Sequence, residues 1–206
     1  MLTAAACLVL PVAACGGSST SAPATTQATA TPAGAQPTGA VTLSTAQPPW
    51  PLPTDARPYL AAAGLQVQGA ETLTVHYHAH LDIIDKDAAV TVAPDIGFVI
   101  TNGQATGITS LHTHDASGLV HIESQTDVPF TLGQLFTEWG VRLTTGQVGG
   151  LVSGRGNVVR VYVNGTPFTG DPATIVLRPH QEIALWYGSS SSKPQVPSTY
   201  NFPAGT

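Results

Sequence analysis

The chain has 206 residues and a net charge of −5, with only 9% of residues charged and seven Lys and Arg in all. A phosphate-binding surface needs clustered basic residues, so this composition argues against nucleic acid as a partner. Once a leader and a linker are set aside, the length suits one domain. Gly (21) and Pro (17) are abundant, and β-branched residues dominate the patterned half. The expected fold is a β-rich α+β class: antiparallel strands and hairpins with one main helix at about 130–140, in a β-grasp-like arrangement. Both cysteines, Cys7 and Cys15, fall in the first fifteen residues, and Met1 is the only methionine. Any metal in the domain must therefore be held by imidazole and carboxylate, which suits Zn²⁺ or Cu²⁺ and disfavours Cu⁺.

Residues 1–14 form a short apolar run interrupted by Pro11, too short for a span of about 20 residues. The continuation Val12-Ala13-Ala14-Cys15-Gly16 resembles the lipobox of bacterial lipoproteins. That resemblance implies a signal peptide over 1–15, lipid attachment at Cys15 and anchoring to the outer face of the cell membrane. No basic residue precedes Cys15, as a leader requires, so the true start is expected upstream. Residues 16–54 are rich in Ser, Thr, Ala and Pro and carry no charge. They read as a disordered tether to a single domain over 55–188.

Asp55 to Ala63 reads as a short helix, capped by Asp55 and ended by Gly64. Next comes Val75-His76-Tyr77-His78-Ala79-His80-Leu81-Asp82. Here Leu73, Val75, Tyr77, Ala79, Leu81 and Ile83 share one parity, and His76, His78, His80 and Asp82 the other. This is a strand with one buried face and one histidine face. A turn at Asp85-Lys86-Asp87 leads to Val90-Thr91-Val92, and Phe98 to Thr101 is another short strand. Leu111-His112-Thr113-His114-Asp115 then opens a second histidine hairpin, closed by Leu119-Val120-His121-Ile122-Glu123. Pairing places His112 opposite His121 and His114 opposite Leu119, so His112, His114, His121 and Glu123 line one face.

Phe130 to Gly140 carries the strongest helix pattern. Thr131 and Gln134 form a capping box, Leu132, Leu135, Phe136 and Trp139 make an apolar stripe, and Gly140 stands where a left-handed end is wanted. The glycine-rich run 149–156 reads as a flexible loop. Asn164-Gly165 marks a type I′ hairpin between Val158–Val163 and Thr166–Phe168. Strands are expected at Thr174–Leu177 and Glu182–Tyr187, with His180 a surface residue between them. The tail, 189–206, begins as a Ser-rich linker whose Tyr200 and Phe202 could fold back onto the domain.

His76 to Asp82, Leu111 to Asp115 with His121-Ile122-Glu123, Phe130 to Gln134, and Val161 to Gly165 with Gly170-Asp171-Pro172 occur in a distinctive order. In these motifs, over roughly residues 55–188, the chain resembles a family of His-rich extracytoplasmic bacterial proteins, described as hypothetical proteins or lipoproteins. The resemblance implies a location and a shared domain, and carries no catalytic role.

Residues i and i+2 on a strand lie about 6.5–7 Å apart on one face, close enough for two imidazoles to share an ion. Three such residues span about 13 Å. The candidate ligands are His76, His78, His80, His112, His114 and His121, with two drawn from the first strand and completed from the hairpin. Asp82, Asp115 and Glu123 are candidates to orient the imidazoles or to serve as further ligands. The expected function is a membrane-anchored extracytoplasmic domain binding Zn²⁺ or Cu²⁺ for sequestration, delivery or structure. One alternative is a metal-dependent enzyme, a hydrolase or copper redox protein, with Glu123 or Asp82 as its acid or base. Another is a non-metal interaction domain with a pH-responsive histidine face. The spacings fit neither a cupin nor a copper-zinc superoxide dismutase, and no HExxH, GxSxG or Walker loop is present.

Overall fold

The structure is a computed structural model describing residues 41–71 and 74–204. The expected leader with Cys15, and the tether up to residue 40, lie outside the described residues. In chain order the elements are α1 (Arg57–Ala62), β1 (Val75–Asp85), β2 (Ala88–Val90), β3 (Phe98–Thr101), β4 (Gln104–Ile108), β5 (Leu111–His112), β6 (Leu119–Ser124), α2 (Leu132–Trp139), β7 (Leu143–Thr144), β8 (Gln147–Val148), β9 (Leu151–Val152), β10 (Asn157–Val163), β11 (Thr166–Phe168), a 3₁₀ turn (Pro172–Thr174) and β12 (Gln181–Ser189).

Seven strands form the main sheet, in the order β11-β10-β12-β1-β6-β5 with β2 added alongside β1. At its centre β1 and β12 run parallel, and the remaining pairs are antiparallel. The chain is a β-rich α+β protein. Its first and last long strands meet as the central parallel pair, with α2 between the two halves in sequence, which is the connectivity of a β-grasp.

The period-2 pattern of β1 explains why the sheet has one apolar face. Ala79, Leu81 and Ile83 are buried together with Val120 and Ile122 of β6 and Ile183 and Leu185 of β12. Helix α2 adds Leu132, Leu135, Phe136 and Trp139 to the same core. Each large side chain so buried contributes about 1.5–3 kcal/mol. The helix is punctuated as its sequence dictates: Thr131 and Gln134 exchange the two capping-box hydrogen bonds, and Gly140 ends it at φ 72°.

The domain begins before residue 55, which corrects the expected boundary of the tether. Trp50 is only 2% exposed, packs edge-on against Trp139 at 5.6 Å, and its carbonyl accepts a hydrogen bond from Trp139 Nε1 at 3.0 Å. A low-charge Ser/Thr/Ala/Pro composition hides one large anchor, and the anchor decides the outcome. The same packing corrects the flexible-loop reading of 149–156. Strands β7, β8 and β9 form a small antiparallel sheet, and a Cβ on Gly149 would lie 2.4 Å from the Trp50 ring. That glycine is there because the indole sits on it.

Two further expectations shift. Asp55 lies one residue before the helix N-cap Ala56, and its carboxylate accepts from the Arg57 amide at 3.1 Å. Thr174–Leu177 is not a strand: the 3₁₀ turn takes up its start, and Val176 makes only an isolated bridge to Thr131. Pro172, which cannot donate a ladder hydrogen bond, is instead accommodated in that turn, which Asp171 caps through Ala173 N at 3.0 Å.

The histidine face of the sheet is partly roofed by the C-terminal tail. Tyr200 stacks on His80 with ring centroids 3.8 Å apart, and Phe202 stacks on His180. Arg160 fixes the start of this segment by donating to the Ser190 and Ser192 carbonyls.

Candidate metal centre

Strand register brings the two histidine segments together in one sheet. His78 pairs with His121, His76 pairs with Glu123, and His121 pairs on its other side with His112. His78, His121 and His112 therefore form a row across three adjacent strands, on the face opposite the apolar core. His114 does not pair with Leu119. Beyond His112 the chain leaves β6, because Thr113 bonds through its amide to the Ile96 carbonyl and through its hydroxyl to the Ala93 carbonyl. The His114 ring nonetheless turns back, with its centroid 4.4 Å from that of His121 and 4.9 Å from that of His112.

Four ligand atoms converge at the first end of this row. His76 Nε2 lies 3.3 Å from His78 Nε2, and His78 Nε2 lies 2.8 Å from His121 Nδ1. Glu123 Oε1 is 3.5 Å from His76 Nε2 and 3.6 Å from His121 Nδ1. A tetrahedral ion with bonds of about 2.0–2.1 Å has ligand-to-ligand edges of about 3.3–3.4 Å. Three of these four separations match that edge to within about 0.3 Å, and the fourth needs to open by about half an ångström.

The electrostatics suit metal ligation. Burial, reinforced by the neighbouring imidazoles, pushes His78 down to about 4 and His121 to about 3, and burial likewise takes His112 to about 4. At neutral pH these rings are uncharged and carry lone pairs. Burial also raises the Glu123 carboxyl, as does the charge on Glu71. For His112 the tautomer is fixed: Nδ1 donates to the Thr109 carbonyl at 3.0 Å, which leaves Nε2 as a bare lone pair. That Nε2 is buried without a hydrogen-bond partner, as are His78 Nδ1 and Glu123 Oε2. Orphaned buried polar atoms are costly in a native protein. His112 Nε2 lies 3.9 Å from Glu123 Oε1, so a cation between that ring and the carboxylate would engage its bare lone pair, and the residues present fit a divalent transition metal.

His80 and its neighbours form a different arrangement. Both of its ring nitrogens are engaged, Nδ1 with Glu182 Oε2 at 2.8 Å and Nε2 with the Ser117 carbonyl at 2.8 Å. Burial opposes a charge on His80, but the hydrogen bonds to Glu182 and Ser117 together outweigh it and raise its pKa, whereas burial pushes Glu182 up. The Ser117 carbonyl can only accept, which places a proton on Nε2 and leaves the second proton between Nδ1 and Oε2. His80, Asp82 and Glu182 come within metal-binding distance of one another, yet the histidine has no free lone pair. His80 thus serves as an ion-pair partner that also supports Tyr200, and Asp82, 3.8 Å from its Nδ1, belongs with it. Asp115 stands in none of these groups. Its carboxylate accepts from the Ser117 amide at 2.8 Å, and the bonds from Ser117 hold its pKa below the usual value.

Sequence reasoning missed three acids. Glu71 reaches His114 with Oε1 3.4 Å from Nε2. Glu182 sits on β12, whose parity relative to β1 is set by the parallel register His80↔Glu182. Glu138 is buried on α2 and bonds the Thr109 hydroxyl at 2.6 Å, the same residue whose carbonyl orients His112, and burial lifts its carboxyl well above the ordinary range. Only Glu138 left a signal, as a carboxylate beside the apolar stripe of a helix. Among the described residues no helix is long and apolar enough to cross a membrane. Groups of His and Glu are thus placed where they could hold a metal ion, and the chain matches no protein-family model, no curated protein and no solved structure.

Proposed function

We propose that this chain is an extracytoplasmic domain, held at the bacterial membrane through a lipidated Cys15, that binds Zn²⁺ or Cu²⁺ through His76, His78, His121 and Glu123. Its role is to sequester or deliver the ion, or to use it to stabilise the domain. The observation that carries this reading is the convergence of three ring nitrogens and one carboxylate oxygen at near-tetrahedral edges. An N₃O donor set without sulfur suits Zn²⁺ and Cu²⁺. The decisive experiment is metal analysis by mass spectrometry of the full chain, purified without a histidine tag or chelator. Near-stoichiometric zinc or copper that is lost in a His76→Ala/His78→Ala variant supports the reading. A chain that neither carries nor takes up either ion refutes it.

A second reading, a metal-dependent enzyme, is favoured by the exposed edge of the cluster at His114 and Glu71, where solvent or a substrate could reach an ion. Hydrolysis of activated esters or phosphoesters, or copper-dependent redox turnover, by loaded and stripped protein tests it. Equal rates for the two forms rule it out for those reactions.

A further inference from the structure

Five imidazoles and two carboxylates are more donors than one tetrahedral ion takes, and their ligand atoms divide into sets. Those of His76, His78, His121 and Glu123 all lie within 4.8 Å of one another. His112 and His114 meet the same condition with His121, and His112 meets it with Glu71 and Glu123. Among the described residues no such set contains both His78 and His112, so no single ion reaches both. The residues common to the two ends are His121 and Glu123.

We propose that the centre is dinuclear: a second divalent ion is held by Glu71 and His112, and the carboxylate of Glu123 bridges it to the first. This rests on the metal-binding reading above and fixes the stoichiometry and the division of ligands. The ligand atoms of Glu71, His112 and Glu123 all lie within 4.8 Å of one another, and His114 Nε2 stands 3.4 Å from Glu71 Oε1 on the solvent side. His112 Nε2 is 3.9 Å from Glu123 Oε1. Two of the atoms assigned to the second ion or to the bridge, His112 Nε2 and Glu123 Oε2, are buried without any partner. The ion at the first end does not use His112, and a second ion supplies the partner that this lone pair lacks. The charges agree: Glu71 and Glu123 act on each other unfavourably, and a dication between two carboxylates reverses that sign. Because Glu71 is exposed, the second ion sits at the solvent side and keeps room for an exchanging water or ligand.

The test is a Zn²⁺ titration of the chelator-stripped full chain, with bound metal counted by mass spectrometry. The unsubstituted chain is expected to take up two ions, and a Glu71→Gln/His114→Ala variant one. Both of these side chains are exposed, so far-UV circular dichroism should show the variant folded like the parent. Two ions retained by the variant would overturn the ligand assignment. One ion in the unsubstituted chain would overturn the second site, while leaving the function proposed above intact if that ion is lost with His76 and His78. Uptake of no ion would overturn both.

Discussion

Replacing His112 by Asn isolates the cost of keeping an imidazole neutral inside this cluster. Asn preserves a donor for the Thr109 carbonyl but does not titrate. In the folded protein burial takes His112 to about 4, against an ordinary value of 6.5. At about 1.4 kcal/mol per pH unit, that difference is worth roughly 3 kcal/mol. The sign follows from proton uptake. Between pH 6.5 and about 4 the unfolded chain holds the His112 proton and the folded chain does not, so stability falls with falling pH. Above pH 6.5 neither form holds it and the contribution is flat. Urea unfolding of metal-stripped parent and variant from pH 7.5 to 4 should therefore show the parent losing about 3 kcal/mol more than the variant, with a slope near 1.4 kcal/mol per pH unit around pH 5. Taking the difference cancels Glu123, Glu138 and Glu182, whose raised values act in the opposite sense. Since burial is the leading cause, the difference should survive 0.5 M salt. A pH-independent difference between the two proteins would refute the neutral, buried imidazole.

Other consequences can be checked by similar means. Zn²⁺ at 100 times its Kd should stabilise the domain at pH 7 by about 2.7 kcal/mol, seen as a higher Tm that a chelator reverses; an unchanged Tm contradicts a folded-state site. Trp50→Ala should cost about 3–5 kcal/mol in chemical denaturation, whereas a residue in a free tether would cost nothing. Glu182→Gln leaves the His80 pair broken and should cost about 3–5 kcal/mol; it should also loosen the tail, read as faster amide exchange around Tyr200. Thr131→Ala removes the side-chain half of the capping box and should cost about 1 kcal/mol, without changing metal uptake.

The local features were legible because their causes are local. Alternation in β1 follows from the period of a strand, so the histidine face could be read from spacing alone. The capping box, the Gly140 end of α2 and the Asn164-Gly165 hairpin follow from backbone chemistry within a few residues. The facing of His112 and His121 needed only a short hairpin. Which residues complete the centre was not legible. Glu71 meets His114 across more than 40 residues of sequence, and no periodicity encodes that meeting. His80 leaves the candidate ligands because β12 lays Glu182 beside it across a parallel pair more than 100 residues apart in sequence. Trp50 ended the tether early for the same kind of reason: composition averages over a segment, whereas one indole against Trp139 and Gly149 decides whether that segment is ordered. Residue types and their spacing establish which side chains could serve as ligands and which strand face carries them. How those ligands are shared out follows from register and long-range packing, which set the distances between them.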